Sequence, residues 1–133
     1  MQKSIRFVSL LVAAALICVA CGNTPQSCQF TALSVTPSSE TADHALSAPG
    51  NQVQFVAAPV TKGQCAAGAC VNCWGQTWTV SDPVNVSISN ENLDNGMATC
   101  LGKTNGEVTV TATAPVAPGS VQTVTGTAKL ICQ

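Results

Sequence analysis

Short segments in which apolar and polar residues alternate recur along this chain, and they predict β-strands. The clearest covers residues 76–83, where Trp78 and Val80 are separated by threonine and followed by serine. A side-chain period of two is typical of a strand with one buried face, and the Asp-Pro pair at its end favours a turn. Similar alternation occurs in residues 52–58, 84–88, 107–114 and 123–131. Trp78 is the largest apolar side chain in the middle of this series, so we expect it at the centre of the core.

Two further strands bring the expected number to about seven. One covers residues 30–35, and the other carries Ala98 and Cys100 on one face. Residues 40–51 are expected to be irregular, because Pro49-Gly50 cuts the only helix candidate to about two turns. Short strands separated by turns predict an all-β sandwich.

The first twenty residues have the pattern of an export signal. Lys3 and Arg6 give a positive start, residues 7–19 carry no charge, and Ala20 is a small residue before a cleavage point. The apolar run is shorter than the roughly 20 residues that a membrane-spanning helix needs. A cleaved signal is therefore favoured over a retained transmembrane anchor.

The residues at the expected cleavage point, Val19-Ala20-Cys21-Gly22, resemble the lipobox of bacterial lipoproteins, with Cys18 where leucine is usual. The resemblance implies that Cys21 becomes the lipid-modified first residue. With glycine rather than aspartate after it, it also resembles lipoproteins sorted to the outer membrane. The alternative is an ordinary secretory cut after Ala20, which would give a secreted or periplasmic protein.

The cysteine count favours lipidation. Of the eight cysteines, Cys18 leaves with the signal and Cys21 takes the lipid. Six remain, and an even number suits an oxidised, exported domain. We therefore expect a lipoprotein signal peptide in residues 1–20, a lipidated tether in residues 21–29 and one sandwich domain in residues 30–133.

Charge excludes one class of partner. From Cys21 onward, three lysines oppose six carboxylates, and the lysines do not cluster. Nucleic-acid binding depends on neutralising phosphates with basic side chains, so we expect no nucleic-acid partner.

Several motifs in order resemble the bacterial immunoglobulin-like domain of adhesins and surface proteins. They are Leu-Ser-Val-Thr-Pro-Ser at residues 33–38, Val-Gln-Phe at 53–55, Trp-Thr-Val-Ser-Asp-Pro at 78–83, Ala-Thr-Cys at 98–100, residues 106–113, and Gly-Thr-Ala-Lys-Leu at 126–130. Together they cover residues 32–132. The resemblance implies an immunoglobulin-like β-sandwich of about seven strands. The cysteine-rich segment at residues 61–75 departs from typical members, which lack disulfides.

Three cysteines of that segment allow several interpretations. Cys65, Cys70 and Cys73, with distant Cys100, have ligand types suited to zinc, and Cys70-Val71-Asn72-Cys73 has the spacing of a redox pair. Structural disulfides are favoured, because an exported protein meets an oxidising compartment. We therefore expect no metal site and no cofactor.

Strand direction restricts the disulfide pairing. Cys28 precedes the first strand and the cysteine-rich loop follows the second, so they should share one end of the sandwich. Cys100 and Cys132 end ascending strands at the other end. A strand spans roughly 20 Å, whereas bridged Cα atoms lie about 4.4–6.8 Å apart. This predicts Cys100–Cys132. At the first end Cys28 takes one of three loop cysteines, and we favour Cys28–Cys73 with Cys65–Cys70, which avoids the tight Cys70–Cys73 ring.

Three other features have a functional and a structural interpretation. His44 beside Asp43 is formally compatible with a Ser–His–Asp site, but no nucleophile elbow is present in the sequence. The oxygen-rich residues 90–96 could bind calcium, although a solvated turn has the same composition. Trp74 either covers the end of the core or is an exposed anchor for a partner.

The function that the sequence favours is therefore non-enzymatic. We expect a lipid-anchored envelope protein whose domain binds or spaces envelope proteins or glycans, with the membrane itself as a partner through the lipid. The alternative is a small periplasmic hydrolase or thiol-redox accessory on the same sandwich.

Overall fold

The computed structural model describes residues 28–63, 65 and 74–133. These residues form nine strands, and no α-helix is found among them. The strands are β1 (Gln29–Thr36), β2 (Ser39–Ala42), β3 (Gln52–Gln54), β4 (Val56–Lys62), β5 (Thr77–Val80), β6 (Val86–Ile88), β7 (Met97–Cys100), β8 (Val108–Pro115) and β9 (Thr123–Cys132).

One layer of the sandwich is the four-stranded sheet β2-β9-β8-β5. The pairs β9–β8 and β8–β5 are antiparallel, whereas β2 lies parallel to β9. Alternate residues of β8, from Val108 to Ala114, are buried. The apolar residues of the alternation predicted for residues 107–114 thus form part of the inner face of this sheet.

The other layer consists of the pair β1-β4 and the sheet β3-β7-β6. Only Phe55 separates β3 from β4, so these two segments act as one interrupted strand. With β1 and β2 as two parts of the first strand, the order corresponds to the A-B-E-D and G-F-C layers of an immunoglobulin-like sandwich. The predicted all-β sandwich is confirmed, and its seven strands appear as nine because two of them are interrupted.

The core lies between the two layers and is built from the inward side chains of both. Trp78 is 2% exposed, as expected from its place in the strand series. It packs with Phe55 and Val53 of the opposite layer, in one cluster that also contains Phe30, Leu33, Val86, Val110, Leu130, Cys100 and Cys132. Burial of these side chains supplies the main driving force for folding.

The strand directions define two ends of the molecule. The Cys28 pole comprises the start of β1, the end of β4, Trp74 and the β8–β9 turn, because Gln29 pairs with Lys62 and the N–H of Phe30 binds the carbonyl of Val116. The Cys132 pole comprises the β5–β6 turn, the β7–β8 connection and the end of β9, where the N–H of Thr104 binds the carbonyl of Cys132.

The structure corrects two boundaries. Residues 39–42, expected to be turn or irregular, form β2, whose Ser39–Ala42 pair with Lys129–Cys132. Cys28 and Gln29, assigned to the tether, belong to the domain, because Gln29 pairs with Lys62 and Cys28 is cross-linked.

Candidate functional site

A disulfide closes the Cys28 pole and fixes the point where the tether enters the domain. Cys28 is bonded to Cys65, with Cα atoms 4.6 Å apart. The sequence predicts Cys28 and the cysteine-rich loop at the same end, and Cys65 of that loop lies there. The favoured pairings Cys28–Cys73 and Cys65–Cys70 are wrong, because β4 ends at Lys62 beside Gln29 and so carries Cys65 directly to Cys28.

The second disulfide joins Cys100 to Cys132, as expected, with Cα atoms 5.7 Å apart. Both residues are almost fully buried and face inward from opposite layers, so the bond links the two sheets at the Cys132 pole. A zinc site that uses Cys65, Cys70, Cys73 and Cys100 together is excluded, because Cys65 is bonded to Cys28 at one pole and Cys100 is bonded to Cys132 at the other. Cys21, Cys70 and Cys73 lie outside the described residues.

Trp74 covers the core at the Cys28 pole. Its ring stacks on Phe30, with centroids 4.0 Å apart and an interplanar angle of 14°. Phe30 is 2% exposed, whereas Trp74 is half-buried and presents part of its ring to solvent. Of the two interpretations of Trp74, the structure supports a cover on the end of the core.

Trp78 is held by the connection between β6 and β7. Its backbone N–H donates to Oδ1 of Asn90 at 2.6 Å, and its indole N–H donates to Oδ1 of Asn95 at 2.7 Å. The side-chain amide of Asn90 returns a bond to the carbonyl of Trp78 at 3.1 Å. The asparagine oxygens that suggested calcium in the sequence therefore serve to satisfy the polar groups of a buried tryptophan.

The same connection depends on Gly96, which has a φ of +83°. The carbonyl of Gly96 accepts the N–H of Phe55 at 2.9 Å. A Cβ at position 96 would clash with the carbonyl oxygen of Phe55 and lie 3.0 Å from the ring of Trp78. Only glycine fits this close approach between the loop and the core.

A shallow depression of about 90 Å³ lies beside this loop. It is lined by Phe55, Val56, Ala57, Gln76, Trp78 and Asn95. Gln76 is 7% exposed, and its Oε1 has no hydrogen-bond partner within the described part of the chain. The volume is well below the roughly 300–1,000 Å³ of typical small-molecule sites, so the depression fits at most a water-sized or similarly small group.

The only histidine and its neighbouring aspartate bind different backbone groups. Nδ1 of His44 contacts the carbonyl oxygen of Gln133, and the N–H of His44 binds the same oxygen at 3.2 Å. Oδ1 of Asp43 accepts the N–H of Ala45 at 2.9 Å. Each side chain thus stabilises the chain around β2 and β9, and the two do not form the aspartate–histidine pair of a catalytic triad.

Asp82 organises the β5–β6 turn at the Cys132 pole. Its carboxylate accepts the side-chain N–H of Asn85 at 2.8 Å and the backbone N–H groups of Asn85 and Val84 at 3.2 and 3.3 Å. The bond from the Asn85 side chain, which outweighs partial desolvation, lowers the pKa of Asp82 below its ordinary value of 3.8. This is an Asx-type turn.

Charged side chains lie toward both ends of the sandwich. Lys62 is the one charged side chain among the described residues of the Cys28 pole, and the sequence of residues 21–27 and 64–73 contains none. Glu40, Asp43, Asp82 and Glu107 lie toward the Cys132 pole together with Lys103 and Lys129, and Glu91 and Asp94 lie on the β6–β7 connection. β6 leaves the Cys132 pole, where Val86 pairs with Cys100, so the β6–β7 connection with its two carboxylates turns toward the Cys28 end.

No protein-family model matches this chain, and no curated protein matches it. In the described ranges no helix is long and apolar enough to cross a membrane. The fold and its sites define a class, a small all-β sandwich cross-linked by disulfides at both poles.

Proposed function

We propose that this chain is a non-enzymatic lipoprotein of the cell envelope, anchored by lipid at Cys21, whose sandwich binds or spaces other envelope components. The single observation that carries the proposal is the Cys28–Cys65 disulfide, seven residues after the lipobox cysteine. A short segment between Cys21 and a domain that is cross-linked at its first residues suits a protein that holds its domain near a surface.

Two further features support an exported protein. Disulfides form and persist in oxidising compartments, and here they join Cys28 to Cys65 and Cys100 to Cys132. The surface owes its polarity mainly to threonine, serine, asparagine and glutamine, because only 8% of the residues are charged. We place the protein at the outer membrane, with an envelope protein or a glycan as the partner of the domain.

The non-enzymatic part of the proposal is supported by the positions of the reactive side chains. His44 and Asp43 bind backbone groups of β2 and β9 rather than each other. The described cysteines form two structural disulfides, and none of them lines the depression beside Trp78. Unchanged envelope phenotypes in a His44→Ala strain are expected, and loss of a hydrolytic activity in that strain would contradict this part.

The test of the anchor is metabolic labelling with a palmitate analogue in a bacterial host that processes lipoproteins. The wild-type chain and a Cys70→Ser variant should both take up the label, because residue 70 lies far outside the lipobox. A Cys21→Ser variant should take up none. Label on Cys21→Ser, or no label on the wild type, would contradict the proposed anchor.

A further inference from the structure

The sequence contains two asparagine-glycine pairs, Asn95-Gly96 and Asn105-Gly106. Asparagine is a chemically labile residue, and it deamidates most readily before glycine, which has no Cβ to obstruct attack of its backbone nitrogen on the preceding side chain. Both glycines have a left-handed backbone, with φ values of +83° and +94°. Because the two pairs share this local chemistry and conformation, their hydrogen bonds and packing decide which of them reacts.

The β6–β7 connection holds Asn95-Gly96 at the groups that would have to move. Oδ1 of Asn95 accepts the indole N–H of Trp78 at 2.7 Å. The N–H of Gly96, which would supply the attacking nitrogen, donates to the carbonyl of Ser89 at 2.9 Å. Gly96 is also buried, and a Cβ there would lie 3.0 Å from the ring of Trp78. The side chain and the backbone of this pair are therefore both fixed.

The β7–β8 connection leaves Asn105-Gly106 unconstrained at the same groups. Both residues are exposed. Within the described part of the chain, neither the side chain of Asn105 nor the N–H of Gly106 makes a hydrogen bond. A Cβ at position 106 would have nothing within 4 Å. The backbone therefore has room to bring the nitrogen of Gly106 to Cγ of Asn105.

We propose that Asn105 is a site of spontaneous deamidation and that the fold protects Asn95 from the same reaction. The backbone nitrogen of Gly106 loses its proton and forms a bond to Cγ of Asn105. The bond between Cγ and Nδ2 breaks, and Nδ2 leaves as ammonia with that proton. Water then opens the cyclic imide at one of its two carbonyls, which gives aspartate or isoaspartate. No atom is oxidised or reduced, and water is the only co-reactant.

The products alter the Cys132 pole. Either product adds a carboxylate to the β7–β8 connection, and isoaspartate also adds one methylene to the backbone between Thr104 and Gly106. Oγ1 of Thr104 donates to the carbonyl of Gly106 at 2.8 Å and accepts the N–H of Cys132 at 3.1 Å. The longer backbone disturbs the first of these bonds. Deamidation therefore weakens the connection that holds the end of β9.

Ageing of the full-length mature protein in mildly alkaline buffer, with and without urea, tests this assignment. After reduction, trypsin cuts at Lys62, Lys103 and Lys129, so the two asparagines fall on different peptides. Fragment mass spectra locate each deamidated residue and measure its fraction over time. The variant Asn105→Gln is the matched control, because it keeps a side-chain amide that would have to close a larger ring.

In the folded protein Asn105 should deamidate about tenfold faster than Asn95 or more, because reaction at Asn95 requires at least two hydrogen bonds to open. In urea, which removes the fold, the two rates should become similar. The aged wild type should have a lower melting temperature than fresh protein, and Asn105→Gln should not change on ageing.

Equal rates at the two asparagines in the folded protein would overturn the proposal. So would an Asn105 that stays intact in the folded protein but reacts in urea. A faster rate at Asn105 that persists unchanged in urea would overturn the protective role of the fold. Equal losses of melting temperature in Asn105→Gln and the wild type would overturn the effect on the Cys132 pole.

Discussion

The indole N–H of Trp78 donates a hydrogen bond of 2.7 Å to the side-chain oxygen of Asn95, and this bond attaches the β6–β7 connection to the core. Asn90 makes two more bonds to the backbone of Trp78. A buried indole N–H without a partner would carry a desolvation cost. The loop and the tryptophan therefore stabilise each other, and we expect them to unfold together.

Two replacements of Trp78 should separate the contribution of its packing to stability from the contribution of its hydrogen bond to Asn95. Trp78→Ala should lower the free energy of unfolding by about 3–5 kcal/mol, the usual cost of truncating a buried aromatic. The matched variant Trp78→Phe retains an aromatic ring and leaves Oδ1 of Asn95 without its donor, so it should cost about 1–3 kcal/mol. Urea denaturation measures both. A Trp78→Ala protein as stable as the wild type would show that the core is centred elsewhere.

Gly96 should be far less tolerant of alanine than another glycine with a similar backbone. Gly96 and Gly119 have φ values of +83° and +75°. Both substitutions incur the roughly 1–2 kcal/mol penalty of a left-handed conformation. Only Gly96→Ala also forces a Cβ against the carbonyl of Phe55, since nothing lies within 4 Å of a Cβ at position 119. Gly119→Ala should therefore have a clearly higher melting temperature than Gly96→Ala. Equal melting temperatures would count against this loop geometry.

The Cys100–Cys132 bond should contribute substantially to stability. The double variant Cys100→Ala/Cys132→Ala removes a cross-link between residues 32 apart in sequence, and we expect a loss of about 2–5 kcal/mol. Non-reducing peptide mapping of the wild type should recover a Cys28–Cys65 peptide and a Cys100–Cys132 peptide. A free thiol at Cys100, or a Cys28–Cys132 peptide, would contradict the arrangement of the two poles.

Asp82 should make stability depend on pH in the acid range. Because its pKa in the folded state is lowered below 3.8, its carboxylate stabilises the fold above about pH 4 and loses this contribution as the pH falls through the folded-state value. The variant Asp82→Asn keeps one acceptor oxygen and cannot titrate, so its disadvantage relative to the wild type should shrink toward low pH.

The Asn85→Ala variant is the matched check on the cause of that shift. It removes the side-chain bond that contributes most to the lowered pKa of Asp82, so the folded-state pKa should rise toward 3.8. NMR titration of the Asp82 carboxyl measures it in both proteins. An Asp82 that titrates at or above its ordinary value in the wild type would be inconsistent with the turn described.

The strands were predictable because each has one buried face that imposes a period of two on the sequence. Residues 108–114 show this directly, with buried residues at every second position. β2 was missed because only Ala42 of its four residues is buried. It is a strand through its parallel pairing with β9, a long-range contact that local composition does not encode.

The site was less predictable than the fold. The segment that contains Asn90 and Asn95 has a composition that suits a solvated turn, a cation site or a set of hydrogen bonds to a buried side chain. Only the position of the two asparagines beside Trp78 shows that they form hydrogen bonds to it. The pole assignment of Cys28 was available from strand direction. The sequence does not show which of Cys65, Cys70 and Cys73 is bonded to Cys28, because that choice depends on where β4 ends, at Lys62.

The intact mass of the mature protein, isolated from the membrane fraction of its own host without reduction, tests the lipid anchor and both disulfides in one experiment. We predict a chain that begins at Cys21, carries the mass of the lipid modification at that residue, and lacks two hydrogens for each of the Cys28–Cys65 and Cys100–Cys132 bonds. A chain that begins at an unmodified Cys21, or that retains residues 1–20, would contradict the proposal that this sandwich is a lipid-anchored envelope protein.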